Sequence, residues 1–270
     1  MQKSKIFYLS SEIEPFSKSY SLSLFSRRFT TNLHQAYNLD LRLSQPKYGF
    51  ISERKYILRE VIRLKDMPID FQEKTILTNM KSAFIPDSKV QVYFLECDDY
   101  FKDISYLIYK SKNGRSYSNN QEKFAYFSKA VLSSLNSLFW SPEYIICNDW
   151  QTAYVPAILK HFYKDDSFFK NIKTIFFAHS IEEDSSLDPK LLEEFNLKDK
   201  FSSTLEMAFS NSDAIILFQS NNNLFEQLKK KKKLYEIFKS KPSLVIDVSL
   251  EMDFDWSDCF AKIESVIEKA

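Results

Sequence analysis

Apolar positions along the chain follow two alternating patterns: short, nearly continuous apolar runs, and longer segments in which apolar residues recur every three or four positions. Residues 5–9 (KIFYL) form a run of β-branched and aromatic character that ends at Ser10-Ser11, and they predict a first strand. Residues 22–37 carry Leu22, Phe25, Phe29 and Leu33 on one helical face, and 39–44 read as a second strand closed by Pro46. The stretches 56–62 and 75–85 are less periodic and read as a β-rich insertion, whereas 89–97 (KVQVYFLEC) is the clearest strand of the first half.

The second half is more regular. Phe124, Phe127, Val131, Leu135 and Leu138 mark an amphipathic helix over 119–139, followed by a buried strand at 144–147. Helices are predicted at 151–162, 203–209, 224–238 and 258–269, and strands at 173–177, 214–218 and 244–248. Apolar strands separated by helical segments predict an α/β fold: one Rossmann-like domain, a parallel sheet with helices on both faces. There is no internal repeat and no Pro/Gly/Ser-rich linker, so residues 1–270 are read as a single domain.

Composition changes this picture at one point. The chain has only two glycines, Gly49 and Gly114, where roughly 7% is typical. Neither a Walker A loop nor a dinucleotide fingerprint can be written without glycine, which excludes both phosphate-binding classes. A net charge of +1 offers no electrostatic reason to expect nucleic acid or an anionic membrane as partner. Cys97, Cys147 and Cys259 have no disulfide or zinc spacing. With no signal-like start and no long apolar run, the expected home is the cytoplasm.

In a parallel sheet, ligands bind beyond the carboxyl ends of the strands. Three such ends carry polar groups. Lys18 follows the first strand before a helix N-terminus, where it can meet a phosphate or simply be solvated. Asn148-Asp149-Trp150 follows the strand at 144–147. Asp149 is either a helix N-cap or a ligand for a substrate hydroxyl, and Trp150 either stacks on a sugar or fills core space. His179 follows the strand at 173–177, as a ligand contact or a structural histidine. His34 and His161 sit in helical segments as half-buried surface groups, and no pair has metal-ligand spacing, so neither a metal nor a cofactor is expected. The lysines from 229 to 233 are read as a solvated face in the later turns of a helix.

Taken together the segments resemble one family, the bacterial glycogen synthases and plant starch synthases. Ser11-Glu12-Ile13-Glu14-Pro15-Phe16-Ser17-Lys18 is similar to the S-E-x-x-P-F-x-K opening of that family. Gln121 to Ala130 resembles its E-R-F-A-F-F-S-R-A helix, and Lys173 to Ser180 its K-T-V-F-T-I-H-N segment, with Ser180 in place of asparagine. The most specific match is Cys147-Asn148-Asp149-Trp150-Gln151-Thr152 with Val155-Pro156, against C-N-D-W-Q-T…V-P. The matches run in order from residue 5 to about 228, leaving 229–270 as a C-terminal extension.

The resemblance implies the N-terminal half of a GT-B fold and a metal-free, retaining transfer of glucose from ADP- or UDP-glucose to an α-glucan. It implies that Lys18 contacts the donor phosphates, that Asn148 and Trp150 bind substrate, and that Asp149 and His179 line the cleft near the transferring glucose. Two departures qualify this. The family loop K-T-G-G-L-x-D is here Lys18-Ser19-Tyr20-Ser21-Leu22-Ser23-Leu24, with side chains where the family keeps space open. After residue 228 there is room for only a strand and a helix or two, whereas the family's second domain supplies most nucleotide contacts. The expectation is a synthase-like domain inactive or incomplete in isolation, completed by a separate chain. The alternative is a non-catalytic relative that binds glucan or regulates a full-length synthase.

Overall fold

In the computed structural model, which describes residues 3–181, 187–197, 201–220, 222–251 and 253–269, the short apolar runs become strands. These are β1 (Lys5–Leu9), β2 (Asp40–Pro46), β3 (Arg59–Glu60), β4 (Met67–Phe71), β5 (Lys74–Phe84), β6 (Gln91–Glu96), β7 (Tyr144–Asn148), β8 (Lys173–Ala178), β9 (Ala214–Gln219) and β10 (Ser243–Asp247). The α-helices are α1 (Ser21–Ala36), α2 (Glu53–Tyr56), α3 (Asn120–Leu138), α4 (Tyr154–Ala157), α5 (Pro189–Glu194), α6 (Thr204–Asn211), α7 (Leu224–Lys230), α8 (Lys232–Ser240) and α9 (Trp256–Ile267).

The sheet order is β10-β9-β8-β7-β1-β2-β6-β5-β3, with β4 paired to β5. From β10 to β6 every pairing is parallel, as the alternation of strands and helices predicts. The order runs one way from β1 through β2 to β6 and the other way from β1 through β7 to β10. The β1–β7 boundary is therefore the topological switch point, where a crevice opens beyond the strands' carboxyl ends.

At one edge the parallel sheet is extended by antiparallel strands: β5 runs antiparallel to β6, and β3 and β4 run antiparallel to β5. The 56–85 insertion supplies these strands. β4 alternates buried and exposed residues, and Gln72 and Glu73 turn the β4–β5 hairpin with φ of 48° and 62°. Two successive positive φ values suit a tight hairpin but usually call for Asn-Gly, so the turn is hard to read in so glycine-poor a chain.

Two predicted helices are broken. The segment 151–162 is a 3-10 turn at Trp150–Thr152, then α4, then a wider π turn at Ile158–Phe162. Pro156 has no N–H with which to continue a regular ladder. The segment 224–238 splits at Lys231, whose ψ of 79° is not helical. The lysine run thus straddles a break between α7 and α8 instead of closing one helix. Lys229 pairs with Glu226, and Lys233 reaches the buried Glu206.

The core lies on both sheet faces. Leu22, Phe25, Phe29 and Leu33 of α1 are buried, as are Phe124, Phe127, Val131 and Leu135 of α3. Each fully buried side chain of this size contributes about 1.5–3 kcal/mol. The C-terminal segment is continuous with this packing: β10 extends the sheet beside β9, and Phe260 of α9 meets Phe29 edge-on at 5.4 Å. No helix among the described residues is long and apolar enough to cross a membrane.

Candidate functional site

A convergence of polar side chains sits at the switch point. β7 ends at Asn148, and Asp149 turns the chain with φ 55° and ψ −174°. That region of backbone space is nearly reserved for glycine and costs of order 1–3 kcal/mol in other residues. Asp149 makes no side-chain capping bond to the turn that follows. Its carboxylate instead accepts the Ser180 hydroxyl at 3.0 Å and the backbone N–H groups of Ser180 and His179 at 3.2 and 3.4 Å. The strained turn thereby locks the loop after β8 to the end of β7. Burial pushes the Asp149 carboxyl up to about 6, against the downward pull of those bonds.

Asn148 is fully buried and holds three elements together. Its amide nitrogen donates to the Leu9 carbonyl at 2.8 Å, while Oδ1 lies 3.1 Å from both the Tyr8 hydroxyl and Nε2 of His179. The His179 ring stacks on Phe218 with 9° between planes and meets Phe25 edge-on at 4.5 Å. With the ring buried among aromatics, the imidazole is held down to about 3 and is neutral.

On the β1 side the chain passes through Glu12, whose carboxylate is fully buried. Helix α1 begins with no side-chain cap from Tyr20 and no acidic residue in its first turn. Glu12 ties down the loop just before that end, accepting the backbone N–H groups of Ser19 and Tyr20 (3.1 Å for Tyr20) and the Tyr109 hydroxyl at 2.9 Å. Burial raises the Glu12 carboxyl even so.

These groups surround a cavity of about 450 Å³, walled by Glu12, Tyr20, Tyr109, Trp150, Gln151 and His179, with Asp149 and Ser180 also on its lining. Trp150 packs against Phe124 at 5.3 Å and Tyr109 at 5.5 Å, and it also lines the cavity. Asn148, Asp149, Trp150 and His179 are therefore brought together. Lys18 is not among them. Its side chain is exposed, pairs with Glu14 at 3.4 Å and is absent from the cavity lining. His34 and His161 are half-buried and away from the cavity, His161 being 2.9 Å from the Asn211 carboxamide oxygen.

Sequence reasoning passed over Glu12, Tyr109 and Gln151 as separate contributors, and took Tyr20 only as a side chain filling space that the family's loop keeps open. Gln151 had a legible signal, one residue beyond Trp150 at a strand end. Tyr109 had none, since it lies in an aperiodic loop between β6 and α3.

A switch-point cleft at the carboxyl ends of a largely parallel sheet is the architecture of the Rossmann-like half of a GT-B glycosyltransferase. The chain belongs to the starch synthase catalytic domain family, whose model matches residues 5–226. It is 35% identical over 214 residues to a glycogen synthase of Pelodictyon phaeoclathratiforme, covering 79% of this chain and 43% of that protein. It is 36% identical over 214 residues to a glycogen synthase of Chlorobium phaeovibrioides, with the same 79% and 43% coverage. The chain thus spans less than half the length of these relatives. Among solved structures it superposes on the catalytic domain of starch synthase IV from Arabidopsis thaliana, bound there to ADP and acarbose, with a TM-score of 0.71 and 16% identity. That match covers 92% of this chain and 51% of the other.

Proposed function

We propose that this chain forms one wall of a glucosyl-transfer cleft, in which glucose passes from a nucleotide-sugar to an α-glucan once a second domain faces it. The observation that carries this is the Asn148–His179–Asp149 constellation at the switch point, built on a strained Asp149 backbone. Asp149 positions His179 through its backbone amide, and the neutral imidazole offers its second nitrogen as an acceptor for a sugar hydroxyl. The Asp149 carboxylate, in a water-poor setting, also favours the positive charge that develops at an anomeric carbon as its bond to phosphate breaks. Groups facing this wall hold the nucleotide, either elsewhere in a longer protein or on a separate chain.

The test is incorporation of labelled glucose from ADP-glucose or UDP-glucose into a glycogen primer, with the C-terminal half of a related glycogen synthase supplied in trans. The expected outcome is incorporation that falls at least about a hundredfold in His179→Ala. Equal incorporation by the variant contradicts it.

A second reading, a non-catalytic glucan-binding or regulatory relative, is favoured by Glu12, which occupies the loop amides of Ser19 and Tyr20. Retention on amylose without incorporation supports that reading, and failure of amylose to retain the chain counts against it.

A further inference from the structure

At the other end of the sheet, the amino-terminal ends of β1, β2 and β6 frame a recess of about 400 Å³. A strand rises about 3.3 Å per residue, so β1 alone puts about 13 Å between this recess and the cleft at its carboxyl end. The pairing register gathers the lining. Lys5 stands beside Asp40, Arg42 beside Gln91, and Gln91 beside Phe84. Lys3 and Lys89 lie in the segments that lead into β1 and β6, and His34 comes from the last turn of α1.

The recess thus holds four cationic side chains and a histidine around one carboxylate, Asp40. That carboxylate is already engaged: Oδ1 lies 3.2 Å from Nε of Arg42, and Oδ2 accepts the indole N–H of Trp140 at 2.7 Å. The Arg42 guanidinium also lies over the Trp140 ring, 4.2 Å from its centroid, which fixes its orientation. Lys3, Lys5 and Lys89 have no ion pair among the described residues. Glu143, next to Lys5 across the β1–β7 pairing, accepts the Ser4 hydroxyl at 3.0 Å and is not part of the lining.

Three unmatched lysines facing one recess repel each other and focus a positive potential there. The net charge of +1 hides this local excess. A multiply charged anion relieves the repulsion, whereas a single charge meets only part of it. Phe84, 58% exposed, adds an aromatic surface to the same lining, against which a planar ring can rest.

We propose that this recess is a second binding site, for a polyphosphate group either free or carried by a nucleotide. Lys3, Lys5 and Lys89 meet the phosphate oxygens beside the fixed Arg42 guanidinium, and Phe84 takes the base where there is one. The site needs neither the cleft nor a facing domain.

Amide shift mapping of the full chain with pyrophosphate and ADP tests this. Both probes are expected to give saturable shifts at Ile6, Leu41 and Lys89. Lys5→Gln/Lys89→Gln weakens both at least about tenfold, whereas Lys190→Gln/Lys229→Gln, two exposed lysines elsewhere, leaves both within about twofold. An unchanged thermal midpoint verifies that each pair keeps the fold. Phe84→Ala separates the sources: a loss of about fivefold or more for ADP alone assigns the nucleotide, and no loss for either probe assigns the free polyphosphate. Pyrophosphate shifts that are absent or fail to saturate, that centre on Ser19 and Tyr20 at the cleft, or that weaken equally in both lysine pairs overturn the site.

Discussion

Nε2 of His179 lies 3.1 Å from Oδ1 of Asn148, and the amide nitrogen of Asn148 is committed to the Leu9 carbonyl at 2.8 Å. That commitment fixes which end of the carboxamide faces the ring, so Nε2 must carry the proton and Nδ1 the lone pair. Nitrogen-15 NMR of the imidazole is expected to show the neutral Nε2–H form throughout pH 5–8, since burial holds the ring down to about 3. Substituting Asn148→Asp places a carboxylate beside the ring and raises its titration. A wild-type ring that titrates near its ordinary 6.5 contradicts this arrangement.

Asp149 and His179 tilt stability with pH in opposite directions. Asp149 is raised from 3.8 to about 6, so between those values the folded chain binds more protons than the unfolded one. Its contribution to stability therefore falls as pH rises through that window. His179 is lowered from 6.5 to about 3, so its contribution is lost as pH falls through that range. Relative to the unaltered chain, Asp149→Asn is expected to gain stability from about pH 4 to pH 7, by about 3 kcal/mol. His179→Gln gains in the acid direction. Denaturant unfolding across this range checks both, and curves that stay parallel to wild type contradict the burial of these groups.

Glu12 ties the end of β1 to the start of α1, a contact separated by seven residues from Ser19. Glu12→Ala leaves the Ser19 and Tyr20 amides without their acceptor and the Tyr109 hydroxyl with Ser11 alone. A loss of about 2–4 kcal/mol is expected in urea unfolding, with faster hydrogen exchange at Ser19 and Tyr20. A loss under about half a kilocalorie per mole shows that the carboxylate does not hold this helix end.

The two glycines make a matched pair. A Cβ at Gly49 would sit 1.9 Å from the Lys102 carbonyl oxygen, a backbone atom that cannot step aside. At Gly114 nothing lies within 4 Å, although φ is +82°. Gly49→Ala is expected to lower stability by about 3 kcal/mol or more through the clash, and Gly114→Ala by only about 1 kcal/mol through backbone strain. Thermal melts rank them, and the reverse order contradicts the close approach at Gly49.

Much of this arrangement was legible before any coordinates. The strand runs YIIC within β7 and KTIFF within β8 are apolar enough to mark buried parallel strands, and their carboxyl ends point to Asn148, Asp149 and His179. What stayed hidden depends on contacts far apart in sequence. Nothing local says that Glu12 reaches the amides before α1, or that Tyr109 stacks under Tyr20 across 89 positions. For Lys18 the loop sequence alone allowed either a phosphate contact or a solvated side chain, and the family resemblance implied the former; the structure places it outside the cavity, exposed and 3.4 Å from Glu14. The changes of pitch on either side of α4 and the break at Lys231 show the same limit, since apolar spacing persists through a change of helical pitch.

The central claim is that the switch-point cavity is where this chain meets glucan. Amide shift mapping with maltoheptaose tests it most directly. The account predicts saturable shifts clustered at Tyr20, Tyr109, Trp150, Gln151 and Ser180, the residues that line the cavity. Shifts centred instead on the lysines around the α7–α8 break, or none at all at saturating glucan, contradict it.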